Sequence, residues 1–333
     1  MLKSIQNSDK IESLPEKIEF DFTKNYNLIT GFLNNNFSSP THYPDWNLVI
    51  SEDFVTDFFY HVCLKNGNII GICPYHRSKN KSYYDNYSGP QIYLIPYGGW
   101  IFSEEIVLDL KQSNKGNFKS IQGCTLPLIP EFNVNYKFTN HTDSETLIVD
   151  LYKSEEEIWN HDVSSKRRNM IRKSMLNNIE VESIDVNDID RFYEFYCYAN
   201  NRISIKIFPK KYFYDLFTKS INIKFEFLVS KINNIPYSGM VIAYDKNYAI
   251  YWLGMTRDEI QNLGFGDVLQ WEAIKFAKKS GCRYYDLGTI EKIRLPQIYK
   301  FKKGFSKTET PFYFYSEKKL INKIHKRLFG TKN

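Results

Sequence analysis

The sequence predicts an α/β (α+β) fold in which mixed, largely antiparallel sheets are flanked by helices. A strand, a glycine-rich loop, an amphipathic helix and a second strand follow one another over residues 248–287. Hairpin patterns at 54–74 and 225–244 supply antiparallel strands. The length of 333 residues favours two domains of about 150 residues each.

The first half contains few regular elements. Asn66-Gly67 favours the tight turn of a hairpin, and Ser103 is placed to cap a short helix. The predicted elements are a helix over 25–37, a turn-rich loop over Thr41–Trp46, the hairpin strands Phe54–Leu64 and Ile69–Pro74, a helix over Ser103–Gln112 and a strand over Phe118–Leu126.

The second half is more strongly patterned. Ser154 precedes three glutamates and predicts a short helix, and Ser164 or Ser165 can cap the helix after it. The predicted elements are a strand over Leu147–Leu151, helices over Lys153–Trp159, within the stretch 164–178, over Val186–Asn201 and over Pro209–Ser220, hairpin strands Phe225–Ile232 and Ile235–Tyr244, a strand over Tyr248–Gly254, a helix opening at Asp267 and a strand over Cys282–Leu287.

Composition excludes several classes of protein. The 44 basic and 38 acidic residues differ too little for a dedicated nucleic-acid binder, although they leave room for an anionic ligand. The five cysteines form no C-x-x-C pair and the six histidines no H-x-x-x-H pair, so we expect no disulfide framework and no metal site. No signal peptide and no run of about 20 apolar residues is present, and we expect a cytoplasmic protein.

The glycine-rich loop has the order Gln261-x-x-Gly264-x-Gly266 and leads into a helix. A helix start leaves about four backbone N–H groups without partners and carries about half a positive charge, so it suits a phosphate. Gly264 and Gly266 would let a diphosphate approach the backbone. The alternative is an ordinary glycine-rich turn into a helix.

A second helix begins with a cluster of cations. Lys166, Arg167, Arg168, Arg172 and Lys173 crowd its first two turns, where they oppose the helix dipole. This placement suggests that they bind an anionic substrate. The alternative is a solvated basic face that pairs with nearby glutamates.

The C-terminal stretch 316–333 predicts a basic amphipathic helix. Leu320, Ile321, Ile324 and Leu328 lie on one side, and lysine and arginine surround the rest. Such a helix can pack on the second domain, or it can contact the inner membrane surface or tRNA.

Several motifs of the second half, taken together, resemble those of a known family. The Gln261-x-x-Gly264-x-Gly266 loop is similar to the acyl-CoA diphosphate loop of GNAT acyltransferases, and the wider set resembles the FemAB-like branch, the peptidoglycan-bridge transferases and their relatives in envelope polysaccharide clusters. That set comprises Ser165–Asn169, Ile171–Lys173, Gly264–Trp271, Tyr285–Gly288 and Phe301-Lys302-x-Gly304-Phe305. The resemblance implies tandem GNAT-like domains: a degenerate one over 1–146, a catalytic one over 147–315, and the C-terminal helix over 316–333.

The resemblance also implies roles for individual residues. The backbone at Leu253, Gly254 and Met255 would hold the acyl end of the donor, and the loop through Gln261, Gly264, Phe265, Gly266 and Asp267 would hold the diphosphate. Lys302 would lie beside the transferred acyl group. Lys166, Arg167, Arg168 and Arg172, with Trp46 from the first domain, would face the anionic acceptor.

Acyl transfer to an amine requires a neutral amine, hydrogen-bond donors for the developing oxyanion and a proton for the leaving thiolate. Asp286, at the end of a strand, is the candidate for the base or the amine-orienting group, although it can instead cap the next loop. Positively charged Lys302 would stabilise the oxyanion. Tyr299 or Tyr251 would protonate the thiolate, since the tyrosine usual in GNAT enzymes before the final Gly-Phe has no clean match.

Two functions follow from these expectations. The first is an N-acyltransferase that uses acetyl-CoA or another acyl-CoA and acts on an amino group of an anionic, carrier-linked amino sugar or related cell-envelope precursor. The second is an aminoacyl-tRNA-dependent ligase that adds an amino acid to a peptidoglycan precursor or similar amine. The complete loop motif favours acyl-CoA, and its glycines argue against a non-catalytic scaffold.

Overall fold

The computed structural model describes residues 17–78, 86–89, 94–113, 120–185, 188–202, 206–257 and 263–318. The elements of the first half are β1 (Ile18–Thr23), α1 (Tyr26–Asn35), a 3₁₀ turn (Pro40–His42), α2 (Pro44–Asp53), β2 (Thr56–Lys65), β3 (Asn68–Ser78), β4 (Asn86–Ser88), β5 (Ile101–Phe102), β6 (Ile106–Asp109), α3 (Leu110–Ser113), β7 (Ser120–Cys124), a 3₁₀ turn (Pro130–Phe132) and β8 (Val134–Lys137).

The second half begins with a long strand that lies in the middle of the sheet. Its elements are β9 (His141–Asp150), α4 (Glu155–Glu157), a π turn (Ile158–Asp162), α5 (Ser165–Leu176), β10 (Glu180–Ile184), α6 (Ile189–Arg202), α7 (Lys210–Lys219), β11 (Lys224–Ile232), β12 (Ile235–Tyr244), β13 (Tyr248–Thr256), α8 (Phe265–Lys279), β14 (Tyr284–Ile290), α9 (Pro296–Lys302) and β15 (Thr308–Lys318).

One sheet runs through both halves of the described chain. Its order is β1-β2-β3-β4-β7-β15-β9-β14-β13-β12-β11-β10, with β5 beside β3. The pairs β4–β7 and β13–β14 are parallel and the other pairs in this sheet are antiparallel. The predicted mixed, largely antiparallel fold with flanking helices is therefore confirmed. Because β15 pairs with both β7 and β9, and the expected domain boundary at 146 falls inside β9, the division into domains stays a prediction.

Two large hydrophobic clusters lie on opposite faces of the second-half sheet. One packs α6 and α7 together with α1 and α2 of the first half, and the other packs α5 and α8. The halves are joined in the first cluster by Trp46, whose Nε1 donates to the Tyr212 hydroxyl at 3.0 Å. Burial of these apolar faces on both sides holds the central strands in place.

Each predicted helix and strand of the 147–287 region has a counterpart in the structure, although β9 begins at His141 rather than Leu147 and α6 begins at Ile189 rather than Val186. Ser164 caps α5, Ser154 forms a capping box with Glu157, and Gly281 adopts a positive φ just after α8.

Three predicted elements are wrong. The loop expected over Thr41–Trp46 is a 3₁₀ turn followed by α2, because Pro44 stands at the first helical position, where its missing N–H costs nothing. The helix expected over Ser103–Gln112 is divided between β6, which pairs in parallel with β8, and the short helix α3. Residues 316–318, expected to open a helix, extend β15 along β7, and the remainder of that predicted helix lies outside the described residues.

No helix within the described ranges is both long and apolar enough to cross a lipid bilayer.

Candidate active site

The strands β13 and β14 lie side by side only at their beginnings. They pair in parallel from Tyr248 to Ile250 on one strand and from Tyr284 to Asp286 on the other. β13 then continues to Thr256, but its pairing with β14 ends, and a bulge in β13 leaves Trp252 without an opposite residue on β12. Beyond Ile250, one backbone edge of β13 therefore pairs with no strand in the described part of the chain.

The helix between these strands begins at the mouth of the gap. Gly264 caps α8 without a side-chain hydrogen bond, and the N–H groups of Gly264, Phe265 and Gly266 donate to no residue in the described part of the chain. Unpartnered N–H groups of this kind, together with the helix dipole, suit an anion. Gln261, expected to open this loop, lies outside the described residues.

A cleft of about 440 Å³ lies along the second half of β13. Its floor comes from β12 and β13, and its walls come from α6, α8 and α9. The lining includes Tyr251, Gly254, Gly266, Leu269, Gln270, Phe301 and Lys302.

The segment that contains this cleft matches a known family. Residues 164–303 match the family model described as "Acetyltransferase (GNAT) domain". Residues 164–303 form a GNAT transferase domain. Every lining residue of the cleft belongs to this segment.

The likeness of the fold extends beyond the GNAT domain. The crystal structure of FemX superposes with a TM-score of 0.63 at 12% identity, over 92% of this chain and 99% of that chain. A conserved protein of unknown function from Bacteroides thetaiotaomicron gives 0.53 at 11% identity, over 92% and 100%. The C-terminal domain of a putative lysylphosphatidylglycerol synthetase from Agrobacterium fabrum gives 0.51 at 10% identity, over 90% and 96%.

At such low sequence identity these likenesses concern the fold alone. Together with the family match, they confirm the FemAB-like GNAT fold predicted from the sequence. No curated protein matches the chain by sequence.

Glycine is present at the two loop positions 264 and 266 for different physical reasons. Gly264 has a φ of +85°, and a Cβ there would lie 2.5 Å from the Met170 carbonyl oxygen, so packing of α5 on α8 explains it. Gly266 is helical, and a Cβ there would meet only the Phe301 ring at 3.7 Å. Glycine costs a helix up to about 1 kcal/mol relative to alanine. Since protein packing does not require Gly266, its missing side chain fits close approach by a diphosphate.

Arg167 connects the cation-rich α5 to the start of α8. Its Nη1 donates to Asp267 Oδ1 at 2.9 Å, and its guanidinium lies 4.8 Å from the centre of the Phe301 ring. Burial raises the pKa of Asp267, and the Arg167 cation opposes that rise. Arg167 therefore neutralises a carboxylate that would otherwise face an anion at the helix start.

The other cations of α5 have separate roles. The Arg168 guanidinium donates to the carbonyl oxygens of Trp159, Asn160 and Val163, so it caps the π turn. Lys166, Arg172 and Lys173 are exposed on α5. Arg172 also donates to Asn169 Oδ1 at 3.2 Å and lies 5.6 Å from the centre of the Trp159 ring. Of the five predicted anion-binding cations, these three are placed to meet a ligand from solvent.

Lys302 reaches the cleft from the end of α9. Its Nζ donates to the Thr289 carbonyl oxygen at 3.0 Å and lies over the Tyr251 ring at 5.7 Å. Burial lowers the pKa of Lys302 to about 8, against an opposing contribution from Asp286. A fraction of Lys302 is therefore neutral near physiological pH.

Asp286 is fully buried and does not line the cleft. It accepts hydrogen bonds from Thr146, from the Tyr248 hydroxyl at 2.9 Å and from the Gly288 amide at 2.7 Å. Burial raises the pKa of Asp286, and these donors oppose the rise. This geometry suits a residue that holds the irregular part of β14 at Gly288–Thr289, and thereby Lys302, better than it suits a base that contacts the acceptor.

The two candidate proton donors, Tyr299 and Tyr251, differ in their access to the cleft. The Tyr299 hydroxyl donates to Glu309 Oε1 at 3.0 Å, on the side of α9 away from the cleft lining. Tyr251 lines the cleft, and burial raises its pKa to about 12, so it keeps its proton at neutral pH. Gly254 makes room for this hydroxyl, because a Cβ there would overlap it.

The remaining predicted residues lie in the core or along the open strand. Trp46 is fully buried and packs edge-on against Trp252 at 5.0 Å, so it contacts no ligand from solvent. Leu253 and Met255 pair with Val241 and Gly239 on β12, and their side chains pack on the α6 and α7 face. Only their backbone edge faces the gap.

Sequence reasoning missed several lining residues. Ser238, Gly239 and Met240 come from β12 and Asn200 from α6, which lie far from the loop in sequence. Gln270 carried a weak signal, because it is a polar residue beside the apolar stripe of α8. Within the described ranges, no group of three or more His, Cys, Asp or Glu residues is arranged to bind a metal ion.

Proposed function

We propose that this chain is an N-acyltransferase that takes an acyl group from acetyl-CoA or another acyl-CoA and transfers it to an amino group of an anionic acceptor. A carrier-linked amino sugar or a related cell-envelope precursor is the acceptor class we favour. The observation that carries the proposal is the open edge of β13 leading to unpartnered amides at Gly264–Gly266.

The start of α8 and the edge of β13 fit two neighbouring parts of an acyl-CoA, the diphosphate and the pantetheine arm. The amides of the α8 terminus would hold the diphosphate, and the edge of β13 from Leu253 to Met255 would pair with the pantetheine arm. When bound, the thioester supplies the activated acyl carbon. Lys302, held by Thr289, is placed to donate to an acyl oxygen inside the cleft.

The acceptor would enter beside α5. Arg167 packs on Phe301, which lines the cleft, so the exposed Lys166 and Arg172 lie on an element that borders the site. Cations in this position favour an acceptor with phosphate or carboxylate groups.

Binding of CoA tests the proposal directly. A ligand at about 100 times its dissociation constant raises the free energy of unfolding by about 2.7 kcal/mol, so millimolar CoA and acetyl-CoA should both raise Tm. Gly266→Val places a branched side chain at the expected diphosphate position and should abolish the shift. A wild-type Tm that does not respond to either compound would remove the acyl-CoA assignment.

A second candidate is an aminoacyl-tRNA-dependent ligase. It is favoured by the FemX fold and by the position of Lys302 within Phe301-Lys302-x-Gly304-Phe305. Failure to bind CoA together with retention of aminoacylated tRNA in a gel-shift assay would select this candidate. Deacylated tRNA is the matched control.

A further inference from the structure

The segment between β14 and α9 exposes a group of aliphatic side chains. Every residue from 292 to 298 is exposed. Ile293 is 97% exposed, Leu295 41% and Ile298 47%. No other stretch of six residues in the described ranges exposes three large hydrophobic side chains. Single exposed aliphatic residues are ordinary, whereas a contiguous group points to an interaction surface.

Ion pairs and a turn hold the 292–298 segment in this arrangement. Lys292 Nζ lies 2.5 Å from a carboxylate oxygen of Glu145 on β9 and 2.8 Å from one of Glu309 on β15. The Leu295 amide donates to the Glu291 carbonyl oxygen at 3.0 Å. The exposed side chains therefore project from a braced turn.

The surface around this segment carries an excess of positive charge. Residues 291–303 include five lysine or arginine residues and one glutamate, an excess of four. The acids that border the segment, Asp143, Glu145 and Glu309, reduce this excess to one. The basic face of α5 adds to it, because α5 begins beside the end of α9, where the Ser164 amide donates to the Gly304 carbonyl oxygen at 2.8 Å. The exposed cations of that face are Lys166, Arg172 and Lys173.

The size and chemistry of this surface favour a lipid bilayer over a protein. A stable protein interface buries about 800 Å² on each partner, and three aliphatic side chains supply only a small part of that area. Binding to a bilayer interface requires less, because aliphatic side chains enter among the headgroups while neighbouring cations attract anionic lipids. Lys300, exposed on α9, is one such cation.

The 292–298 segment also borders the cleft. Ile298 and Lys302 both line the cleft from α9. Helix α9 has seven residues, and at 1.5 Å per residue it is about 10 Å long. Contact of the segment with a bilayer would therefore bring the cleft close to the headgroups, where an acceptor attached to a lipid carrier is located.

We propose that the 292–298 segment docks this protein on an anionic lipid surface, with Ile293 inserted among the headgroups and Lys300 beside their phosphates. This inference goes beyond the proposed function and does not depend on the identity of the donor. It assigns the membrane contact to a segment other than the C-terminal stretch 316–333.

Co-sedimentation with vesicles tests the proposal. The protein is mixed with vesicles of phosphatidylglycerol and phosphatidylcholine in equal parts, or of phosphatidylcholine alone. We expect binding to the mixed vesicles, with weaker binding at high salt and to phosphatidylcholine alone. Ile293→Ser should weaken binding about tenfold or more, because an inserted aliphatic side chain is lost. Ile293→Trp should strengthen it, since tryptophan favours the membrane interface, and Lys300→Glu should weaken it.

The matched control is Ile221→Ser. Ile221 is 84% exposed, but it lies in the connection between α7 and β11. The same substitution at this position removes an equally exposed aliphatic side chain outside the 292–298 segment. Vesicle binding of Ile221→Ser should therefore equal that of the wild type.

Several outcomes would overturn the inference. These are absence of wild-type binding to the mixed vesicles, binding that Ile293→Ser leaves unchanged, and an equal loss in Ile293→Ser and Ile221→Ser. Sedimentation velocity supplies a further one: a wild-type dimer that Ile293→Ser dissociates would show that the segment contacts a second copy of this chain.

The thermal response to CoA is measured on the same proteins. Because Ile293 and Ile221 are exposed, both serine variants should keep a Tm close to that of the wild type and an unchanged shift with CoA. A wild-type protein that binds vesicles without responding to CoA would remove the proposed function and leave the membrane contact intact. A CoA response without vesicle binding would do the reverse.

Discussion

Arg167 and Asp267 join α5 to the first turn of α8 through a bond of 2.9 Å between Nη1 and Oδ1. Both side chains are nearly buried, at 13% and 9% exposure. The pair places the cation-rich helix directly beside the predicted diphosphate site. It also keeps that site from presenting an uncompensated negative charge.

Replacing Arg167 by methionine should weaken CoA binding and destabilise the fold. The variant leaves Asp267 as a buried, unpaired carboxylate, a change that typically costs about 3 kcal/mol of stability. We expect the CoA dissociation constant to rise about tenfold or more, equivalent to about 1.4 kcal/mol. Calorimetry and urea denaturation measure the two effects. The double variant Arg167→Met/Asp267→Asn should recover most of both losses, and a CoA affinity unaffected by Arg167→Met would contradict this role.

Gly266→Ala should stabilise the protein and weaken its binding of CoA. The new methyl group meets only the Phe301 ring at ordinary contact distance, and α8 gains up to about 1 kcal/mol in helix propensity. The same methyl group narrows the approach to the amides, so CoA affinity should fall. Gly264→Ala is the matched control: its positive φ and the Met170 carbonyl oxygen should make that variant less stable. An increase in Tm without loss of CoA affinity would place the diphosphate elsewhere.

The transfer rate should fall as the pH rises through about 8, where Lys302 loses its proton. Lys302→Arg keeps the cation at higher pH and should remove that fall, although its bulkier head lowers the rate. Lys302→Met should be slow at every pH. A pH–rate profile of all three proteins measures this, and an unchanged alkaline limb in Lys302→Arg would assign the limb to another group.

Lys302 also predicts a stability change of known sign. Its folded-state pKa of about 8 is below the usual 10.5, so between these values the folded chain binds fewer protons than the unfolded chain. Stability should therefore rise with pH across this window, and Lys302→Met should lose that rise. Urea denaturation at a series of pH values is the measurement.

The Asp286→Asn variant tests whether Asp286 positions Lys302 or acts as the general base. The Asp286 charge raises the pKa of Lys302, so its removal should move the alkaline limb of the pH–rate profile to lower pH. If Asp286 only positions the Gly288–Thr289 part of β14, the maximal rate should fall by less than the factor of about 100 that loss of a general base typically costs. A larger fall without movement of the limb would restore Asp286 as the base.

Arg168 and Arg172 should respond differently to alanine substitution. Arg168→Ala removes the donor to three carbonyl oxygens and should cost about 1–3 kcal/mol of stability without changing the KM for the acceptor. Arg172→Ala loses exposed contacts with Asn169 and Trp159, so it should cost no more than about 1 kcal/mol of stability while it raises the acceptor KM. Equal effects of both substitutions on KM would show that the whole basic face binds the acceptor.

Local patterns predicted the elements that local physics controls. The hairpin turn at Asn66-Gly67, the Ser154 and Ser164 caps and the apolar stripe of α8 depend on neighbours within a few residues. The helix expected over Ser103–Gln112 failed because Ile106–Asp109 pairs with a strand about 30 residues later. Its cap and acidic first turn carry no information about that partner.

In the candidate site, too, some features could be predicted from local sequence and others could not. The glycine loop and Lys302 could be found from spacing within one strand–loop–helix unit and one short motif. Sequence spacing could not reveal that Asp286 and Trp46 are buried. It also could not reveal the hydrogen-bond donors around Asp286 or, within the described residues, the missing donor at Gln270 Oε1. Each depends on side chains from several distant elements.

By itself the sequence determined the α8 unit, the resemblance to GNAT transferases and the cations of α5. Tertiary structure alone decided that Arg168 caps a turn while Arg167 neutralises Asp267, and that Tyr251 rather than Tyr299 reaches the cleft. The physical reason is that periodicity and capping act over a few residues, whereas burial, hydrogen-bond satisfaction and charge pairing depend on which distant segments meet.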